Sequence, residues 1–118
     1  MKEPGPAHPI TITPHPTPVR VRLDGRVIAE TGRALELREA GYDPVLYIPR
    51  EDLVAGALAP NPRRSFCPYK GEASYFDPVG GGAARALVAW SYENPFPAVA
   101  RIRGHVAFYP DRVDAIEV

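Results

Sequence analysis

One stretch of the chain concentrates groups that can do chemistry. Ser65-Phe66-Cys67-Pro68-Tyr69-Lys70-Gly71-Glu72-Ala73-Ser74-Tyr75 sets a thiol, an ammonium, a carboxylate and two phenols within a few positions of one another. Cys67 is a candidate nucleophile, because a cation such as Lys70 nearby favours the thiolate, which is the reactive form. Lys70 and Glu72 are a candidate catalytic pair, since on extended backbone their spacing puts both on one face. Gly71 between them allows a sharp turn or a close approach to a ligand. Each group also has a plain structural reading. Cys67 serves equally as a small buried apolar residue, and Lys70 with Glu72 as an ion pair that fixes the loop.

Lys70 stands out for a second reason. Lys and Arg together number 14, and only Lys2 and Lys70 are lysine, so the body of the chain uses arginine everywhere else. Arg50 offers a second positive charge. The aromatics that follow, Tyr75, Trp90 and Tyr92, complete a candidate ligand-binding set of Arg50, Lys70, Glu72, Tyr75, Trp90 and Tyr92. Large aromatics at alternating positions are also what β cores use, so Tyr75, Trp90, Tyr92 and Phe108 have a core reading beside the functional one. Arg20, Arg22, Arg101 and Arg103 fall on the polar faces of two strands and read as solvated.

Several classes lack their signatures. Three separated histidines (His8, His15 and His105) and a single Cys do not make a metal site or an internal disulfide, so no metal is expected. Gly80-Gly81-Gly82 lacks the strand–turn–helix setting of a dinucleotide site, and no phosphate loop is present, so no cofactor is indicated. Asp111 and Asp114 read as turn and strand-end residues. A formal charge of zero argues against nucleic acid as a partner. No apolar run approaches the roughly 20 residues of a membrane span. Met1-Lys2-Glu3-Pro4-Gly5-Pro6 has no apolar signal core, which makes the reducing cytoplasm the expected compartment. Nothing fixes the oligomeric state.

The elements that must position these groups are mostly strands. Of 15 prolines, six fall in the first 18 residues and keep them extended, with only Ile10-Thr11-Ile12-Thr13 able to pair. Residues 1–9 are therefore expected as a Pro-rich flexible arm, and 10–118 as one domain. Val19-Arg20-Val21-Arg22-Leu23 alternates, Asp24-Gly25 is a hairpin turn, and Arg26-Val27-Ile28-Ala29 returns. Ala34 to Glu39 alternates again, in residue types that also suit a helix. Val45-Leu46-Tyr47-Ile48 reads as a strand buried on both faces. Pro49-Arg50-Glu51-Asp52 predicts the start of the one helix, with Leu53, Val54, Ala57 and Leu58 as its apolar face and Pro60 and Pro62 as its stop. Strands are then expected around Ser74-Tyr75-Phe76, over 86–92, over 100–109 and over 113–118. About eight short strands and one short helix make a mainly β domain.

Phe66-Cys67-Pro68-Tyr69-Lys70-Gly71-Glu72-Ala73-Ser74-Tyr75, then Trp90-Ser91-Tyr92-Glu93-Asn94-Pro95, then Val106-Ala107-Phe108-Tyr109-Pro110, resemble the signatures of a bacterial family, the domain-of-unknown-function family four hundred and twenty-seven. Tyr47-Ile48-Pro49-Arg50-Glu51-Asp52-Leu53 resembles a further stretch of it, and the likeness runs from about Ile10 to Val118. The resemblance implies a single-domain β-tent similar to methionine sulfoxide reductase B, and no established reaction. The family also carries a nucleotidyltransferase-like label, which the residues do not support: no Gly-Ser is followed by Asp-x-Asp to hold Mg²⁺. Reductase chemistry at Cys67 normally wants a resolving thiol, and the chain has one Cys. The leading reading is a domain that binds a small anionic metabolite or nucleotide at the Cys-Pro-Tyr-Lys-Gly-Glu loop. The alternatives are an enzyme using Cys67 or Lys70/Glu72, and a structural or interaction module.

Overall fold

Val19, Val21 and Leu23 bury one face of their strand while Arg20 stays in water, as the alternation requires. The computed structural model describes residues 1–80 and 86–118. Its strands are β1 (Ile10–Pro14), β2 (Val19–Leu23), β3 (Arg26–Thr31), β4 (Leu35–Glu39), β5 (Val45–Pro49), β6 (Leu58–Cys67), β7 (Gly71–Pro78), β8 (Ala89–Ser91), β9 (His105–Phe108) and β10 (Ala115–Glu117). They form a seven-stranded sheet in the order β1-β4-β5-β9-β8-β7-β6 and a three-stranded sheet in the order β10-β2-β3, each antiparallel throughout. The chain is a mainly β domain, with ten strands among the described residues rather than about eight.

The expected helix after Pro49 is a correction. Only a single 3-10 turn, Arg50–Asp52, forms there, and Leu58 already opens the longest strand of the molecule. Gly56 at φ +77° turns the chain between them. Pro60 and Pro62, read as helix stops, lie instead within β6. Proline is tolerated there because β6 is an edge strand, so a missing N–H breaks no ladder on its outer side. The strand expected over 100–109 is also shorter. A 3-10 segment, Pro97–Ile102, fills its first part, Gly104 at φ +72° turns, and β9 follows. The strand expected over 86–92 shrinks to β8, because Leu87 at φ +57° cannot extend the ladder. The expected loop at Pro78-Val79-Gly80-Gly81-Gly82 lies partly outside the described residues.

The large sheet buries both faces, but against different things. Ile48, Phe76, Ala89, Val106 and Phe108 point toward Val19, Val21, Ile28 and Ala29 of the small sheet and form the main core. Their neighbours in sequence point the other way. Leu37, Tyr47, Ala73, Tyr92 and Ala107 pack with Val99 and Ile102 of the 3-10 segment, and Tyr75 and Trp90 lean on them half-buried. This second face is concave, because the sheet curls. β1 and β6 are its opposite edges, yet Lys70 at the β6–β7 tip reaches Glu39 at the end of β4, and Lys2 N–H donates to the Pro68 carbonyl at 2.8 Å.

Candidate functional site

The site is made by aromatic rings that stand together on one face of the large sheet. Tyr75, Trp90 and Ala107 stand in one cross-strand row of β7, β8 and β9. The rings around them enclose space rather than fill it. The result is a cavity of about 220 Å³ walled by Leu37, Tyr47, Tyr75, Trp90, Tyr92 and Tyr109, with Glu39, Tyr42, Asp43 and Lys70 at one end. Trp90 is its centre. Tyr47 meets it edge-on with centroids 6.4 Å apart, Tyr109 leans on it at 4.5 Å, and its Nε1–H donates to the Tyr47 hydroxyl at 3.3 Å.

Three phenols of the wall, Tyr47, Tyr92 and Tyr109, are harder to ionise than usual. Burial raises the pKa of Tyr47 and of Tyr92 beyond the ordinary phenol range. Tyr109 is pushed up to about 12, first by burial and then by its hydrogen bond with Tyr75. At neutral pH the wall therefore offers ring faces and hydroxyl groups rather than charge.

The Lys70 end is held by an ion pair. β6 and β7 form a hairpin whose Cys67↔Gly71 pair leaves Pro68-Tyr69-Lys70 as the turn. Gly71 sits at φ +110°, where an L side chain is strained, and the Asn94 carbonyl lies only 3.4 Å from where a Cβ would stand. The turn aims Lys70 inward, where its ammonium donates to Glu39 Oε1 and lies 5.9 Å from the Tyr92 ring centre. His8 Nε2 donates to the other Glu39 oxygen at 2.7 Å, and its ring stacks on Tyr69 with centroids 4.0 Å apart. Burial works to raise the Glu39 carboxyl, but the bonds from Lys70 and His8 outweigh it and hold the group below the usual carboxylate range. The segment before β1, expected as a flexible arm, thus contributes His8 to this cluster.

The sequence-predicted residues divide by location. Lys70, Tyr75, Trp90 and Tyr92 meet at the cavity. Cys67 lies in an adjoining depression of about 590 Å³ with His8, Pro68 and Tyr69, which shares Glu39, Tyr42, Asp43, Val45 and Lys70 with the cavity. Glu72 stands apart. The expected Lys70–Glu72 pairing on one face fails because Lys70 belongs to the turn, not to extended backbone. Glu72 is exposed with Arg64 4.0 Å away. Arg50 lies over the Phe76 ring on the face opposite Tyr75 and bonds Glu93 at 3.3 Å. Sequence reasoning missed Glu39, Tyr42, Asp43, Tyr47 and Tyr109. Tyr109 had a signal in the Phe-Tyr-Pro signature. Glu39 had none, being 31 residues from Lys70.

These features define a mainly β domain that carries a ring-lined cavity on the concave face of a curled sheet. The chain belongs to the family described as a domain of unknown function (DUF427), whose model matches residues 11–118. No curated protein matches it. The family model also carries a nucleotidyltransferase label; among the described residues, no three His, Cys, Asp or Glu side chains gather as metal ligands would.

Proposed function

We propose that this protein binds a small metabolite with a planar ring in the cavity around Trp90. The observation that carries the reading is the convergence of Trp90, Tyr47, Tyr75, Tyr92 and Tyr109 on unfilled space. Aromatic walls with a few polar tips are the usual lining of small-molecule sites. Lys70 and Arg50, the cations that the sequence offered for an anion, each face a carboxylate, Glu39 and Glu93. The ring wall, rather than the charge of the Cys-Pro-Tyr-Lys-Gly-Glu loop, therefore carries the binding. The size suits a ring system of one or two cycles, with substituents running into the adjoining depression.

The test uses the protein's own reporter, because Trp90 is the only tryptophan. Nucleosides, nucleoside monophosphates and aromatic acids are titrated while its fluorescence is followed, with thermal shift in parallel. The expected result is saturable quenching by at least one ring-bearing compound, weakened about tenfold or more in Tyr109→Ala, whose ring leans on the indole. A panel that neither quenches Trp90 nor moves the melting temperature overturns the proposal.

A further inference from the structure

Several cations of the fold are neutralised by neighbours. Arg20 pairs with Glu30, Arg22 with Glu117, Arg33 with Glu51 and Asp52, Arg38 with Glu36, Arg50 with Glu93, and Lys70 with Glu39. Arg63 and Arg112 are among those that are not, and they alone of these also cover rings of the cavity wall among the described residues. Among the described residues neither lies within ion-pair distance of a carboxylate, and both sit over rings that wall the cavity: Arg63 5.9 Å from the centre of Tyr75, and Arg112 4.4 Å from the centre of Tyr109.

Their placement is built into the backbone. Between Asn61, opposite Tyr75, and Arg64, opposite Ser74, the register of β6 slips, so Pro62 and Arg63 are extra residues in a bulge. Bulges re-aim side chains, and this one sends Arg63 across Tyr75. Asn61 holds it: its Oδ1 accepts from the Arg63 N–H at 2.8 Å, and its Nδ2 donates to Asp77 Oδ2 at 2.9 Å. The other oxygen of Asp77 accepts from the Leu87 N–H at 2.8 Å, and the Leu87 carbonyl accepts from Arg112 Nη1 at 2.8 Å. One carboxylate thus fixes both supports while bonding neither guanidinium.

We infer that Arg63 and Arg112 form the anion-binding end of the cavity, receiving the phosphate or carboxylate of a ligand whose ring lies against Trp90. The inference rests on the ring-binding reading and adds to it where the charged group goes. A planar guanidinium with several fixed donors suits either group, and stacking on a ring leaves its edge free to donate. The two rings they cover, Tyr75 and Tyr109, both wall the cavity, on either side of Trp90.

The probes are matched pairs: adenosine with adenosine 5′-monophosphate, and benzamide with benzoate. Each is titrated against wild type, Arg63→Gln, Arg112→Gln, the double variant and Tyr109→Ala. In wild type the charged member of at least one pair binds about tenfold or more tighter than its neutral partner, and added salt shrinks the gap. Preference within the nucleoside pair assigns phosphate, and within the benzoyl pair carboxylate. In the double glutamine variant the gap closes while the neutral member binds as before. Equal affinity for charged and neutral partners in wild type overturns the arginine assignment and leaves the ring site standing. A gap that survives in the double variant does the same. If no probe binds wild type, both readings fail for this ligand class.

Discussion

The two ends of the cavity carry the same kinds of group and use them in opposite ways. At the β6–β7 tip, Lys70 is buried, its ammonium is bonded to Glu39, and His8 takes the remaining carboxylate oxygen. At the Tyr75–Tyr109 end, Asp77 bonds backbone and amide groups, and two exposed guanidiniums remain without a carboxylate. The first arrangement spends its charge on holding the curled sheet together. The second keeps charge available for something else. A cation beside a cavity is a binding group only when no carboxylate already satisfies it, and proximity alone does not tell the two cases apart.

Breaking the tip should cost most. Glu39→Ala leaves the Lys70 ammonium buried without its partner, and the expected loss is about 3 kcal/mol of unfolding free energy. Denaturant melts check this, and a loss below about 0.5 kcal/mol would mean that the pair does not hold the curl. Replacing Lys70 by Met as well should recover part of the loss, because an apolar pair needs no solvation. The same pair sets a pH dependence. The Glu39 carboxyl is held below its ordinary value, so its contribution is present in full above the ordinary carboxylate range and fades as acid approaches the lowered value. Stability measured against pH should fall on that acid limb in wild type, and fall less steeply in Glu39→Gln.

Gly71→Ala tests whether the turn geometry aims Lys70. At φ +110°, and with the Asn94 carbonyl close by, the substitution should cost about 2 kcal/mol. A neutral result in thermal or denaturant melts would show that the turn relaxes freely. At the opposite end the effects should be smaller on stability and larger on binding. Asp77→Ala removes two hydrogen bonds and should cost about 1 kcal/mol, while lowering affinity for a charged probe as far as Arg63→Gln does. Unchanged charged-probe affinity would detach Asp77 from the arginine mouth. Smallest of all is His8→Ala, expected below about 1 kcal/mol because the histidine is partly exposed and Lys70 still holds Glu39. A larger loss by calorimetry would make the segment before β1 a full member of the clasp.

Local pattern accounts for what could be read in advance. The alternation of β2, the Asp-Gly turn, the buried run of β5 and the isolated chemistry of residues 65–75 are properties of neighbours in sequence, and periods of two need nothing more. The helix expected after Pro49 shows the limit of that logic. Leu53, Val54, Ala57 and Leu58 fit a helical face by spacing, but Leu58 was claimed by pairing with Pro78 across a hairpin. An edge position then made Pro60 and Pro62 harmless.

The amino-acid order by itself determined a mainly β chain, its family, and the gathering of Cys67, Lys70 and Glu72 in one short segment. Only the tertiary structure decided what Lys70 does. Its partner Glu39 lies 31 residues away, on a strand that meets the tip because the sheet curls, and strand order and curl are set by pairings and packing distributed over the whole sheet. The same holds for Arg63 and Arg112, which share one mouth through a bulge and a carboxylate at Asp77. Residue type and spacing say which groups a chain possesses. Charge acts through distance in space, so which groups are spent on one another and which stay free is settled only when the fold brings them together.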